Sequence, residues 1–286
     1  MELPVNPLSL LGILFHEVFF RPIVNLLIVI LHGLEFVHIP GALGLSVIIL
    51  TVLIRAVTWP FMSAQLKSSR KMMELKPKLD ELKNKHGKDK QALAVAQAAL
   101  YKEHNINPAA GCLPTIIQFP VLIALYQAIL TVFNSSGGLS KVNELLYSSA
   151  LNITKAPDLS FLGMNLAARP SDFAHAGAYL LLVPVITAGL QFIQATMMTP
   201  LKPVKEYPSD SPREKKEKEG AEDTMGAVQS QMRIMMPLMI GYFAFTFPIA
   251  LAVYWNTMTI IGIVQQYVVS GWGGMTGTVQ KLKIKK

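Results

Sequence analysis

Residues 48–60 read IILTVLIRAVTWP and place a permanently charged side chain, Arg55, inside an otherwise apolar stretch. Between Phe36 and Leu66 no other Lys, Arg, Asp or Glu occurs. An apolar run of about 20 residues is long enough to cross a bilayer. A charge at the bilayer centre costs from about 2.5 to more than 10 kcal/mol. The stretch therefore predicts a membrane helix in which the position of Arg55 must be explained.

The composition indicates several such helices. The chain has 286 residues, of which 51% are hydrophobic and only 15% are charged, a balance typical of multi-span membrane proteins. The last two candidate helices meet at Phe247-Pro248, which predicts a tight helical hairpin. We predict an all-α polytopic membrane protein with five transmembrane segments, at residues 41–62, 113–133, 176–198, 233–248 and 249–270.

The distribution of charge predicts the topology. Segment 63–112 carries ten Lys/Arg against five Asp/Glu, and the tail 271–286 ends in KLKIKK. Segment 134–175 has balanced charges. Because basic residues favour the cytoplasmic side, we expect the first two segments in the cytoplasm and the third outside. The long, highly charged loop 199–232 is then cytoplasmic as well.

The N-terminal segment 1–40 contains two apolar runs of about 13 residues each, interrupted by polar residues and a proline. Each run is too short to span a bilayer alone. We therefore predict interfacial amphipathic helices on the outer face, with an additional span as the alternative. A cleaved signal peptide is not expected, because no basic region precedes the first apolar run. The interrupting residues are His16, Glu17, Arg21 and Pro22.

Segment 63–112 has apolar residues at helical spacing, a break at His86-Gly87, and a potential helix N-cap at Asp89. It is predicted to form an antiparallel helical hairpin. The hairpin either links two spans or serves as a docking surface for client chains, since methionine-rich surfaces adapt to varied apolar partners. The candidate recruitment residues are Met72, Met73, Lys76, Lys83 and Lys85.

The sequence contains no motif of a known catalytic or nucleotide-binding site. No histidine stands at metal-ligand spacing from another histidine or from the single cysteine. Phosphate-binding glycine loops and nucleophile elbows are also missing from the sequence. We therefore expect a protein that is not an enzyme and needs no metal, cofactor or small-molecule substrate.

Arg55 has no acidic residue to pair with in any of the five predicted spans. Two explanations remain open. Its side chain can reach the headgroups from a position four residues before Trp59, or it can face a hydrated cavity lined by neutral polar groups. If Arg55 faces a hydrated cavity, we expect the cavity to open to the cytoplasm and Arg55 to be in contact with water. The polar candidates are Thr51, Gln118, Gln127, Gln191, Gln194, Asn256, Gln265 and Gln266.

Four stretches together resemble one known family. They are IILTVLIRAVTWPFMSAQLKSSRKMMELKPKLDEL, NPAAGCLPTIIQFPVLIALY, FIQATM and LAVYWNTMTIIGIVQQ. The chain resembles the YidC-type membrane protein insertases and their mitochondrial and chloroplast relatives, Oxa and Albino. The resemblance covers about residues 15–275.

The resemblance implies five transmembrane helices around a hydrophilic groove that is open to the cytoplasm and to lipid. In this sequence the groove arginine corresponds to Arg55 and the groove threonine to Thr51. The third-span amide corresponds to Gln194, with Gln191 as the alternative. Tyr254 and Trp255 correspond to the aromatic position of the last span. Gln118 and Asn256 complete the set of expected groove residues, and the cytoplasmic hairpin is implied to recruit substrates.

The expected function is therefore that of a multi-pass insertase and chaperone in a bacterial cell membrane, without a large extracytoplasmic domain. Its expected partners are nascent membrane-protein clients and membrane lipids, with the ribosome and the Sec translocon as further candidates. Two other classes were compared with this function. A channel or transporter for small solutes needs a continuous polar path, whereas the outer part of the first span, GALGLSVI, is apolar. A passive assembly scaffold would not need Arg55.

Overall fold

The computed structural model describes residues 12–86, 89–104, 106, 113–133, 138–198 and 224–276. Its helices are α1 (Arg21–Phe36), α2 (Ala42–Glu74), α3 (Lys76–His86), α4 (Lys90–Glu103), α5 (Leu113–Phe133), α6 (Gly138–Leu145), α7 (Phe173–Ala176), α8 (Leu182–Met197), α9 (Thr224–Thr246) and α10 (Ile249–Ser270). One two-stranded hairpin pairs β1 (Ser160–Phe161) with β2 (Met164–Asn165).

The chain forms two compact units. The first unit comprises Met1–Thr58, Thr115–Thr187 and Gly241–Met258. The second comprises Trp59–Pro114, Ala188–Ile240 and Thr259–Lys286. The long helices α2, α5, α8, α9 and α10 contribute residues to both units.

The N-terminal part of the first unit is one continuous helical stretch. A π-helical turn, His16–Phe20, leads directly into α1, and Pro22 is the second residue of α1. The expected break between two short helices is therefore wrong. The stretch 12–36 is long and apolar enough to cross a membrane. Whether it lies on the membrane or spans it remains a prediction.

One face of α1 is packed against protein. Its most buried residues recur at helical spacing, which marks an apolar stripe facing a core. Their exposed fractions are all 1% or less, and they are Val24, Leu27, Ile28 and Leu31. This burial shows that α1 is an integral part of the first unit.

Asn25 fixes α1 to the chain that follows α6. Its Nδ2 donates to the Leu145 carbonyl at 2.9 Å, and its Oδ1 accepts the Tyr147 N–H at 2.7 Å. Arg21 Nε donates to the same Leu145 carbonyl at 3.0 Å, and the guanidinium lies 4.8 Å above the Tyr147 ring. Asn25 is only 4% exposed, so these bonds are shielded from water.

Helix α2 is longer than the predicted span. The expected boundary after residue 62 falls inside a helix of 33 residues, about 50 Å long, because Pro60 is accommodated within it. Proline removes one helical hydrogen bond. In the second unit, Gln265 Nε2 donates to the Trp59 carbonyl at 3.0 Å and to Ser63 Oγ at 2.9 Å, on either side of Pro60.

The helical hairpin predicted from sequence is formed by α3 and α4. Helix α2 ends at Glu74, Leu75 forms a turn, and α3 ends at His86. The predicted N-cap is confirmed, because Asp89 accepts the N–H groups of Gln91 and Ala92 at the start of α4. Gly87, expected to end the first helix, lies outside the described residues.

The segment between α6 and α8 holds structure that the sequence analysis did not predict. The hairpin of β1 and β2 places Phe161 on Gly44 of α2, where an added Cβ would lie 2.3 Å from the ring. The same segment caps α10: the Leu166 carbonyl accepts the Ala250 N–H, and the Ala168 carbonyl accepts the Ile249 N–H, both at 3.0 Å. These bonds satisfy donors that a helix N-terminus leaves unpaired.

The remaining helix bounds follow the predicted apolar runs closely. Helices α5 and α10 begin and end where they were predicted. Helix α8 begins later, after a 3₁₀ turn at Ala178–Leu181, and α9 begins at residue 224, within the predicted loop 199–232. The rest of that loop up to residue 223, most of the tail 271–286 and Cys112 lie outside the described residues.

Three helical stretches in the described part are long and apolar enough to cross a membrane: 12–36, 42–72 and 178–197. Two shorter apolar helices cover 118–132 and 233–246. The protein is therefore an all-helical polytopic membrane protein with a minor β-hairpin. The count of five spans remains a prediction.

We predict that Asn25→Ala lowers the free energy of unfolding by about 1–3 kcal/mol, because the hydrogen bonds of the buried Asn25 side chain to Leu145 and Tyr147 are lost. Thermal unfolding of the purified protein in detergent measures the change. Asn84→Ala, which truncates an exposed asparagine of α3, is the control. Equal unfolding midpoints for the two variants would show that the Asn25 bonds do not stabilise the fold.

Candidate functional site

Arg55 lies on α2 with its side chain turned into the first unit. The residue is 6% exposed, whereas Val57 on the same helix is 75% exposed. Its Nη2 donates to the Met258 carbonyl at 2.9 Å, and its Nε contacts the Met258 sulfur at 3.1 Å. Arg55 thus connects α2 with α10.

The charge of Arg55 has no acidic counterpart in its surroundings. Within the described residues, ion pairs link Glu17 with His16 and Arg21, and Glu74 with Arg70, but none includes Arg55. A charged hydrogen bond to a carbonyl is strong, whereas a thioether sulfur is a weak acceptor. Arginine has five N–H donors, so the two contacts to Met258 leave donors for a further polar group. The site is therefore a buried cation held by neutral acceptors.

Tyr254 and Gln118 form a polar contact beside this cation. Tyr254 is 1% exposed, and its hydroxyl accepts a hydrogen bond from Gln118 Nε2 of α5. Tyr254 stands one helical turn before Met258, so both residues lie on the same face of α10. The structure thus brings together three of the predicted site residues, Arg55, Gln118 and Tyr254.

Thr51 is fully buried one turn before Arg55. Its hydroxyl donates to the Val47 carbonyl of its own helix at 2.6 Å. The described partner of the Thr51 hydroxyl is therefore backbone, which makes this threonine part of the helix packing beside Arg55.

Trp255 is 9% exposed and belongs to an aromatic cluster. Its ring centroid lies 6.3 Å from that of Phe243 and 6.2 Å from that of Phe247, and Tyr126 packs on Phe247 at 5.4 Å. The next residue, Asn256, has a buried Oδ1 without a hydrogen-bond partner among the described residues. It is thus a second neutral acceptor on α10 that is available to a ligand or to water.

Gln127 is exposed in the first unit, whereas the remaining predicted amides, Gln191, Gln194, Gln265 and Gln266, belong to the second unit. Gln191 donates to Thr259 Oγ1 at 3.0 Å, while Gln194 is half-buried. Gln266 Nε2 approaches the carbonyl of Met197, the last residue of α8, at 3.5 Å. In this unit the amides mainly join helices to one another.

In the described part of the chain, the hydrogen bonds of Arg55 go to Met258 and not to the predicted amides, and its contact with water stays a prediction. Its described hydrogen-bond acceptor is Met258, which the sequence analysis missed. A backbone carbonyl leaves no signal in a sequence. The one available indication is spacing, because Met258 lies one turn after Tyr254 on α10.

The candidate recruitment residues lie around the junction of α2 and α3 and along α3. Lys85 is exposed, and Met72 and Lys83 are half-buried. The side chains of Met73 and Lys76 lie outside the part that the structure describes.

The described helices and the buried Arg55 define a class of polytopic helical membrane protein, and sequence comparison identifies the family. Residues 35–273 match the family model described as 60Kd inner membrane protein. The chain belongs to this family.

Similar proteins include the YidC membrane protein insertase of Fusobacterium nucleatum subsp. nucleatum, at 31% identity over 79% of this chain and 85% of that protein. The chloroplast inner membrane protein ALBINO3 of Arabidopsis thaliana is 29% identical over 85% of this chain and 49% of its own length. The YidC insertase of Dechloromonas aromatica is 31% identical over 82% of this chain and 34% of its own length. The chain thus spans about half the length of the chloroplast relatives that it matches.

A solved structure has the same fold. The crystal structure of an active YidC insertase with its first transmembrane domain resolved aligns with a TM-score of 0.50 and 23% identity. The alignment covers 83% of this chain and 45% of that chain. The helical fold described above is therefore the YidC fold.

We predict that Tyr254 and Gln118 are energetically coupled. Tyr254→Phe and Gln118→Leu should each destabilise the protein, and the double variant should be more stable than the sum of the two losses implies, by about 0.5–3 kcal/mol. Unfolding midpoints in detergent are measured for the native protein, the two single variants and the double variant, which together form a double-mutant cycle. Tyr126→Phe replaces Tyr254→Phe in a parallel cycle, where no coupling to Gln118 is expected. A coupling near zero at Tyr254 would contradict the contact.

Proposed function

We propose that the protein is an insertase and chaperone that places integral membrane proteins into a bacterial cell membrane. Membership of the 60Kd inner membrane protein family supports this function. The observation that carries it is the Arg55 guanidinium, buried between α2 and α10 with neutral acceptors only. A protein that merely scaffolds other helices has no use for such a group, which costs free energy to bury.

The proposed mechanism uses the charge of Arg55 to assist polar client segments. A client that inserts a helix must carry a short polar tail through hydrocarbon. A carboxylate on that tail is attracted to the guanidinium, and the attraction is stronger in the low-dielectric interior than in water. The donors of Arg55 that do not contact Met258 can bond the carboxylate directly.

Neutral partners keep this attraction available. An aspartate or glutamate beside Arg55 would neutralise the guanidinium and compete with the client. The Met258 carbonyl and sulfur orient the guanidinium without cancelling its charge. The polar side chains of Gln118 and Asn256 offer further hydrogen bonds to the client tail in the same unit.

Release of the client requires no chemical energy in this mechanism. Once the apolar client helix leaves toward lipid, burial of its surface contributes about 25 cal/mol per Å². The client tail then exchanges its bond with Arg55 for hydrogen bonds to water on the opposite side of the membrane. In this mechanism, partition of the client helix into lipid drives insertion. Arg55 lowers the free-energy barrier for moving the polar tail across the membrane.

The hairpin of α3 and α4 is proposed to receive client chains on the cytoplasmic side, through Met72 and the lysines of α3. The charge distribution places the C-terminal tail on that side as well. Nascent membrane proteins and membrane lipids are the proposed partners, together with the ribosome and the Sec translocon.

We predict that Arg55→Ala reduces insertion of a client whose translocated tail carries Asp or Glu by roughly tenfold, the loss expected for one charge-assisted hydrogen bond. Arg55→Lys keeps the charge but loses the planar fork of donors that contacts both acceptors of Met258, so its effect should be intermediate. The inserted fraction is measured in liposomes without the Sec translocon.

Two comparisons test whether Arg55 acts through its charge. A matched client with an uncharged tail should be affected much less by either substitution. Arg70→Ala removes an equal charge from the exposed end of the same helix, where the side chain is 56% exposed, and should not distinguish the two clients. If Arg55→Ala lowers insertion of both clients equally, Arg55 maintains the structure of the site and the electrostatic mechanism is wrong.

A further inference from the structure

A cleft of about 390 Å³ lies in the first unit, away from Arg55. One wall is the C-terminal part of α1, and the other is the chain between α6 and β1. Its volume is within the range of small-molecule sites. The polar residues that line it are His32, Glu35, Asn152, Thr154, Lys155 and Asp158.

The cleft contains charges of both signs that are not paired with each other. In the described part of the chain, neither the Glu35 carboxylate nor the Lys155 ammonium forms an ion pair or side-chain hydrogen bond. Asp158 differs, because its Oδ1 accepts the Ser160 N–H at 2.8 Å. Glu35 and Lys155 are therefore the two charges whose side chains have no hydrogen-bond partner there, whereas Asp158 keeps its negative charge with one oxygen bonded to the backbone.

The wall that carries Lys155 is held in place by hydrogen bonds. The Asn143 side chain donates to the Ile153 carbonyl at 3.1 Å and accepts the Ile153 N–H at 2.8 Å. Ile153 itself is 6% exposed and anchors this wall. The opposite wall is helical, so both sides of the cleft are formed before any ligand binds.

An exposed apolar edge follows Glu35 in the chain. Phe36 follows Glu35 in the chain and is 84% exposed, and Val37 and Ile39 are 58% and 38% exposed. Exposed apolar surface next to polar groups marks a site of interaction with a membrane or a partner. In a membrane protein, this arrangement fits a lipid whose headgroup is polar and whose chains are apolar.

We propose that the cleft binds the headgroup of a phosphoethanolamine lipid. Lys155 pairs with the phosphate, Glu35 accepts hydrogen bonds from the primary ammonium, and the acyl chains lie along Phe36 and Val37. A choline headgroup carries no N–H to donate to Glu35. A glycerol headgroup carries no cation to balance Glu35. The two unpaired charges therefore select a zwitterion with an ammonium that can donate.

Lipid retention by the full chain tests this proposal, and it does so independently of insertase activity. The purified protein is equilibrated with phosphatidylethanolamine, phosphatidylcholine and phosphatidylglycerol of identical acyl chains, and bound lipid is counted by native mass spectrometry. Phosphatidylethanolamine should be retained roughly tenfold more tightly than the other two, as expected for one charge-assisted hydrogen bond. Soluble glycerophosphoethanolamine should compete only weakly, because it lacks the chains that contact the apolar edge.

Substitutions of Glu35 and Lys155 should have distinguishable effects on lipid retention. Glu35→Gln should abolish the preference for phosphatidylethanolamine over phosphatidylcholine, while Lys155→Ala should weaken retention of all three lipids. Glu144→Gln and Lys141→Ala change exposed charges on α6 outside the cleft and are the matched controls. The proposal is overturned if the native protein shows no preference, or if the cleft variants behave like their controls. Competition by the soluble headgroup as strong as by the lipid would show that the apolar edge takes no part.

Discussion

The bond between the Arg55 guanidinium and Met258 is the constraint on which the first unit depends. A guanidinium without hydrogen-bond partners is not tolerated in an apolar interior, and no carboxylate exists in the neighbouring long helices. The Met258 carbonyl and sulfur provide the partners, at 2.9 and 3.1 Å. Because both acceptors belong to one residue, the position of α10 relative to α2 decides whether the charge is satisfied. The contact between Tyr254 and Gln118 then joins α5 to the same face of α10.

A segment outside the apolar helices fixes the N-terminus of α10, the helix that supplies the acceptors of Arg55. The carbonyls of Leu166 and Ala168 accept the first N–H groups of α10. The hairpin just before these residues packs Phe161 on Gly44, near the start of α2. One short irregular segment thus contacts both helices that supply the site. A larger residue at position 44 would displace that segment, although it lies far along the helix from Arg55.

The apolar helices could be predicted because their ends coincide with changes in composition, as for α5 and α10. Other features depend on tertiary contacts that no local pattern encodes. The first span was expected to end at residue 62, yet α2 continues through Pro60 to Glu74. The N-terminal apolar runs were expected to be interrupted by polar residues and Pro22, yet the helical stretch continues from residue 12 to residue 36. Arg55 was identified as a site by its charge alone, but its backbone acceptor could be found only in three dimensions.

The choice of neutral acceptors distinguishes two uses of a buried cation. A structural arginine is most economically held by a carboxylate, because the pair leaves no net charge in the interior. Arg55 is instead held by a carbonyl and a thioether, so its field is not cancelled and extends to whatever approaches its remaining donors. Such an arrangement stabilises the fold less than an ion pair would. It suits a group whose proper counterion arrives from outside, which on the proposed function is the acidic tail of a client in transit.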